Sequence, residues 1–175
     1  MTVVWGAVQD HDGYIDVKSE LGEGTTFELY FPVTRQTVEY SETATSVTEL
    51  RGNGESILIV DDIRDQREIS TAILTHLHYS VFSVESGEAA IEYLGKNRID
   101  LVVLDMIMDP GLDGLETYRQ IRKIVPSQKT IIASGFSEND RVREAIKLGV
   151  GSYIRKPFTT ENLGQVIRRE LSKVS

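Results

Sequence analysis

Cysteine is missing from all 175 residues, proline occurs four times and tryptophan once. Without a thiol, disulfides, thiolate nucleophiles and cysteine–zinc centres are excluded, and a reducing cytoplasm is the expected setting. No apolar run approaches the roughly 18 residues of a bilayer-spanning helix. No basic stretch followed by an apolar core opens the chain, so neither membrane contact nor a secretory signal is expected. Basic residues are outnumbered, 19 Lys and Arg against 27 Asp and Glu, for a formal charge of -8. Phosphate backbones are bound by basic faces, so nucleic acid is not expected as a partner.

What is present is ordinary for a globular protein: 40% hydrophobic and 26% charged residues. The length suits one domain with an appendage. Residues 14–18 (YIDVK) and 25–31 (TTFELYF) alternate apolar with polar, as half-buried strands do. SELGEG between them supplies a glycine turn, which predicts a β-hairpin, and the preceding VVWGAVQ is compatible with helix. Residues 35–54 lose all periodicity and are rich in Ser, Thr and Glu, the composition of a linker. The expected organisation is therefore 1–34, a linker over 35–54, and a main domain over 55–175.

In that main domain, short apolar runs alternate with helix-period segments. ILIVD precedes REISTAILTHL, SVFSV precedes EAAIEYLGK, and LVVLD precedes LETYRQIRKI; TIIAS and SYIRK are each followed by a helical pattern too. Five such repeats predict a doubly wound α/β fold, a five-stranded parallel sheet with helices on both faces. ILIV, LVVL and TIIA are apolar throughout, as central strands should be. Ser86 and Ser137 stand at helix N-caps, Ser137 forming a capping box with Asp140, and Gly149 stands at a helix C-terminus.

Ligands meet an open parallel sheet just beyond the carboxyl ends of its strands. Those ends carry Asp61 and Asp62, Asp105, Ser134 and Lys156. Clustered carboxylates repel one another unless a cation joins them, and hard oxygen donors favour Mg2+. One carboxylate can then attack phosphorus while cations neutralise the transferred group. Taken singly, each residue has a plainer reading: Asp61 and Asp62 as caps, Ser134 as a turn hydroxyl, Lys156 as a surface lysine. Asp109 and Asp113 are expected to be solvated loop and turn acids. Met106 and Met108 are expected to pack, and His11, His76 and His78 to serve surface or core roles.

ILIVDD, LVVLD, ASG and YIRKPF, in this order and spacing, resemble the receiver domain of two-component response regulators, the CheY-like family, over about residues 56–171. The resemblance implies a flavodoxin-like strand order 2-1-3-4-5. It implies Asp105 as phospho-acceptor, and Asp61, Asp62, Asp105 and the main-chain carbonyl of Ile107 as the protein's Mg2+ ligands. Ser134 and Lys156 would contact the phosphoryl group, Tyr153 would be the aromatic partner of Ser134 in switching, and Lys156–Pro157 would be cis. The donor implied is a phosphohistidine on a kinase or phosphotransfer protein; a homodimer is left open. Ile107 and Phe136 would flank the hydrolytic water and cannot orient it, which implies a long-lived phosphoryl group. One departure from the family pattern is an extra residue, Asp109, in MDPGLDG.

WGAVQDHDGYIDVKSELGEGTTFELYFP is similar to the last portion of a histidine-kinase ATP-binding domain of the GHKL fold. The upstream metal-binding Asn and nucleotide-binding boxes of that fold are not in the chain, nor is a phosphorylatable kinase histidine, so kinase catalysis is not expected of this stretch. The resemblances together imply part of a hybrid sensor histidine kinase. Two rival functions are weighed. A haloacid-dehalogenase-type phosphatase would carry Asp-x-Asp on its first strand and its acidic pair last, the reverse of the order here. A pure interaction module would lack the acceptor, the acidic pair or the lysine, and all are present. A dinucleotide site would need a glycine-rich fingerprint after the first strand, which is absent.

Overall fold

The computed structural model describes residues 4–5, 8–9, 11–33, 49–135 and 140–173. Two compact units divide near residue 43. In the first, β1 (Tyr14–Glu20) pairs antiparallel with β2 (Gly24–Tyr30), from Tyr14 opposite Tyr30 to Glu20 opposite Gly24. Gly22 and Gly24 take φ of 90° and 110°, the left-handed region where a side chain would be strained, and so permit the turn. The hairpin buries Ile15, but Tyr14, Val17, Phe27, Leu29 and Tyr30 remain exposed. Val4, Trp5, Val8 and Gln9 in the preceding segment are helical.

The second unit is the predicted doubly wound fold. Its strands are β3 (Ser56–Val60), β4 (Ser80–Val84), β5 (Leu101–Asp105), β6 (Thr130–Ser134) and β7 (Ser152–Arg155), all parallel, in the order β4-β3-β5-β6-β7. That is 2-1-3-4-5 within the sheet. The three apolar runs form the three central strands, nearly every residue of which is buried, Thr130 included. Helices α1 (Arg64–His76), α2 (Gly87–Lys96), α3 (Gly114–Ile124), α4 (Asp140–Lys147) and α5 (Thr160–Leu171) connect them. Successive strand residues face opposite sides, so each central strand feeds two cores. Leu58, Val102, Leu104 and Ile132 pack with Leu94, Tyr118, Ile121 and Val142 of α2, α3 and α4. Ile57, Ile59, Val103 and Ile131 pack with Leu74, Leu163 and Ile167 of α1 and α5. None of the helices among the described residues is long and apolar enough to cross a membrane.

Local signals act as their chemistry requires. Ser86 Oγ accepts from Ala89 N and caps α2. Gly149, at φ 99°, follows α4, where its N–H and that of Val150 reach the carbonyls of Ile146 and Ala145. Ser137, most of the segment 35–54 and Phe136 lie outside the described residues. The end of that segment packs onto the second unit: Leu50 is buried beside Leu77, its carbonyl accepts from the Tyr79 hydroxyl, and Gly52 N donates to Leu77 O. Asp113 differs from the solvated turn acid expected from its surroundings. It caps α3, accepting from Glu116 N at 2.9 Å, and pairs with Arg141 of α4 at 2.5 Å. A short acid before a helix can satisfy an otherwise free N–H, and that outweighs turn preference here.

Candidate functional site

The five predicted strand-end residues arrive at the carboxyl edge of the sheet. Asp61 and Asp62 leave β3, Asp105 ends β5 one position away, Ser134 ends β6, and Lys156 follows β7. Parallel register makes this convergence unavoidable: Val60 stands beside Leu104, Asp105 beside Ala133, and Ser134 beside Arg155. Asp61, Asp62 and Asp105 offer carboxylate oxygens that all lie within 4.8 Å of one another. Lys156 Nζ reaches between two of them, 2.5 Å from Asp61 Oδ2 and 2.9 Å from Asp105 Oδ2. Its main-chain N–H donates to Ser134 O at 2.8 Å, and the Lys156–Pro157 bond is cis.

Electrostatics distinguishes the acceptor candidate. Asp105 is only 7% exposed, and burial raises its carboxyl pKa above the ordinary aspartate value. The Lys156 ammonium opposes that shift, as does the Ile107 N–H, which points at Asp105 Oδ1 from 3.4 Å. Asp62 Oδ1 is buried and has no hydrogen-bond partner. A buried carboxylate oxygen left without a donor is costly, and oxygen donors grouped like these suit a hard divalent cation. Three carboxylates and one ammonium leave two formal negative charges at the edge. The residues present fit Mg2+.

Asp61 and Asp62 do not cap α1; its N-cap is Ile63, with no side-chain capping bond. Asp61 Oδ1 instead accepts from Ile63 N, and Arg67 Nη1 donates to the carbonyls of both Asp61 and Asp62. The loop after β5 is held by its own chemistry. Met106 and Met108 are buried, as expected of packing residues. Asp109 N donates to Asp62 Oδ2 at 3.3 Å, while its side chain is exposed. The extra residue therefore presents an amide, not a carboxylate, to the acid pair. Leu112 N donates to Glu88 Oε1 of α2. Tyr153 is half-buried against the core on the α2–α4 side, and Ser134 is fully buried. His11, His76 and His78 are exposed.

Two features carried no sequence signal strong enough to select them. Gly114 opens α3 so close to β5 that an added Cβ would sit 2.3 Å from Asp105 O and 2.7 Å from Met106 Cα; only the Asp-Gly pair hinted at a tight helix start. A cleft of about 600 Å3 opens beside Asp105 and Lys156, lined by Ile63, Gln66, Ile69, Ile107, Pro157 and Phe158. Ile63 and Ile69 come from α1 and its N-cap, Ile107 from the loop after β5 and Phe158 from the segment after β7, so no single stretch of sequence displays it.

Comparison with known proteins agrees with this geometry. Residues 57–168 match the response regulator receiver domain. The chain belongs to the response regulator receiver family. Receiver domains act in two-component phosphorelays by taking a phosphoryl group onto an aspartate; they bind Mg2+ at an acidic pocket and interact with histidine kinases or phosphotransfer proteins. Sporulation initiation phosphotransferase F of Bacillus subtilis (strain 168) is 32% identical over 117 residues, 67% of this chain and 94% of that protein. Sensor kinase CckA of Brucella abortus (strain 2308) is 28% identical over 183 residues, 99% of this chain. This receiver chain spans about a fifth of the kinase's length, 19%. Among solved structures, the receiver domain of a Pseudomonas aeruginosa PAO1 sensor histidine kinase, with a magnesium ion in its active-site cleft, superposes with a TM-score of 0.64. It is 25% identical, over 69% of this chain and 99% of that one.

Proposed function

We propose that Asp105 is the phospho-acceptor of this receiver and that its donor is a phosphohistidine on a histidine kinase or phosphotransfer protein. The observation that carries this is the placement of Asp105 beside Lys156 and within 4.8 Å of two further carboxylates, at the mouth of the cleft. An Asp105 carboxylate oxygen attacks phosphorus, the P–N bond to imidazole breaks, and an acyl phosphate forms. Asp61, Asp62, Asp105 and the main-chain carbonyl of Ile107 would hold Mg2+, which supplies charge neutralisation to the transferring phosphoryl group. Lys156, already 2.9 Å from Asp105, then pairs with a phosphoryl oxygen, and the buried Ser134 hydroxyl donates to another. Drawing the Ser134 hydroxyl toward the phosphoryl group vacates space into which Tyr153 turns, which shifts the surface of α4 and β7. Ser134→Ala should accept phosphate yet leave amide resonances on that surface unmoved; a full wild-type shift would contradict the coupling.

The apolar rim suits a helical donor. Ile63, Ile69 and Ile107 are 49%, 58% and 48% exposed, and together with Phe158 they surround the acceptor without blocking it. Exposed apolar side chains gathered at a polar centre mark a docking face. For the chain as a whole, the reading is part of a hybrid sensor kinase working in the cytoplasm. Residues 1–34 form the end of an ATP-binding domain, 35–54 connect it, and 55–175 form the receiver. The hairpin with its exposed apolar faces and the match to a sensor kinase along 99% of the chain support that organisation.

Incubation with acetyl phosphate or phosphoramidate and Mg2+, followed by intact mass spectrometry, tests the central reading. A gain of one phosphoryl group that Asp105→Asn abolishes is expected. No gain in the wild-type protein would overturn it.

A further inference from the structure

We infer that Arg67 is a positioning residue for the metal-binding acid pair, setting Mg2+ affinity without touching the ion. The inference rests on the placement of Mg2+ at Asp61, Asp62 and Asp105 given above. One guanidinium nitrogen, Nη1, donates to the Asp61 carbonyl at 2.7 Å and to the Asp62 carbonyl at 3.0 Å. Successive carbonyls in an extended strand point in opposite directions, so one donor can serve both only where the chain has turned out of the strand. Arg67 therefore clasps the turn that carries the acids. The clasp is anchored, because Arg67 N donates to Ile63 O in the first turn of α1. It is closed from within by Asp61 Oδ1, which accepts from Ile63 N at 2.9 Å. The neighbouring acid Glu68 does not compete, since it pairs with Arg64 at 2.7 Å.

The consequence falls on Asp62. Its Oδ1 is buried without a partner and its Oδ2 receives a 3.3 Å contact from Asp109 N, so its own side-chain bonds hold it weakly. The main chain sets its aim. With both carbonyls engaged by Arg67, the carboxylates are directed toward Asp105 before any ion arrives, and an oriented ligand set loses less freedom on binding. A guanidinium suits the task because it stays charged and delivers its donors from a rigid plane. Its charge also repels a cation, and because Arg67 is half-buried the orienting effect on the acid pair must outweigh that repulsion.

The test is a Mg2+ titration at constant ionic strength, followed by amide NMR shifts around Asp62 and Ile63, on wild type, Arg67→Met, Arg67→Lys and Asp62→Ala, with thermal unfolding of each. Arg67→Met should weaken binding at least fivefold and Arg67→Lys less than threefold. Phosphorylation by acetyl phosphate in Arg67→Met should return to the wild-type maximum once Mg2+ is raised to saturation. Affinity within twofold of wild type in Arg67→Met, or tighter binding from relief of charge repulsion, would overturn the inference. A lowered melting temperature with unchanged Mg2+ affinity would reduce Arg67 to a structural role and overturn it equally. Undiminished binding in Asp62→Ala would instead show that the metal site itself was misplaced, a separate failure.

Discussion

Lys156 Nζ lies 2.9 Å from Asp105 Oδ2, the ammonium of one strand end set against the carboxylate of another. Burial raises the Asp105 pKa and Lys156 holds the rise in check. The reacting form is the carboxylate, so acceptor activity is complete above the raised pKa and is lost as pH falls through it. The midpoint should lie above the ordinary aspartate value of about 3.9. Carboxyl-carbon NMR of Asp105 in metal-free protein measures it directly, and Lys156→Met should move the midpoint further up. A wild-type midpoint at or below the ordinary value would contradict the argument.

The same burial carries a stability cost. A carboxyl whose folded pKa is raised contributes stability below its unfolded pKa and loses it as pH rises through the folded value. At pH 7 the charged Asp105 therefore opposes folding. Most substitutions destabilise, by about 1 kcal/mol, but Asp105→Asn should raise the melting temperature of the metal-free protein at pH 7. The advantage should vanish at about pH 2.5, well below the ordinary aspartate value of about 3.9, where Asp105 is neutral in both states. Thermal unfolding at the two pH values decides, and a lower melting temperature at pH 7 would count against the cost.

Mg2+ should act as a stabilising ligand. Binding to the native state alone contributes RT ln(1 + [L]/Kd), about 1.4 kcal/mol at ten times Kd. Calorimetric melting with rising MgCl2 should show this gain, chelator should remove it, and Asp62→Ala should lack it. An Mg2+-dependent rise that persists in Asp62→Ala would mean that the ion binds elsewhere.

Gly114 and Gly95 make a matched pair. A Cβ on Gly114 would meet Asp105 O at 2.3 Å, whereas one on Gly95 in α2 meets nothing within 4 Å. Gly114→Ala should cost about 1–3 kcal/mol, as overpacking does, and should slow phosphorylation because it displaces the acceptor backbone. Gly95→Ala should stabilise by up to about 0.5 kcal/mol, the low end of alanine's advantage over glycine in a helix, because Gly95 lies in the last turn of α2. Urea unfolding of the two variants provides the comparison, and equal effects would sink it.

The phosphoryl group should be long-lived. Ile107 cannot orient a water, and Asp109 turns its amide toward Asp62 and its carboxylate to solvent. Asp109→Ala should therefore leave the rate of phosphoryl loss within about threefold of wild type, well short of the hundredfold that general-base assistance typically contributes. Decay followed by mass spectrometry after donor removal measures this. A much slower decay in Asp109→Ala would show that the carboxylate does reach the site.

By itself the sequence determined the sheet and the residues carried at its edge. ILIV, LVVL and the IIA of TIIA are unbroken apolar runs, as a strand covered on both faces requires. The residue types just beyond those runs are local facts, so Asp61, Asp62, Asp105, Ser134 and Lys156 could be placed at one edge. The tertiary structure alone decided how they meet. That Lys156 bridges Asp61 and Asp105, that Arg67 turns back to the carbonyls of the acid pair, and that Leu50 joins the core beneath Tyr79 all depend on side-chain direction and distant approach. Asp113 and Asp109 stand four residues apart in one loop, yet the first caps α3 and reaches Arg141 while the second faces water. Composition cannot separate two such acids, because what differs between them is the position of a helix N-terminus and of an arginine 28 residues further on.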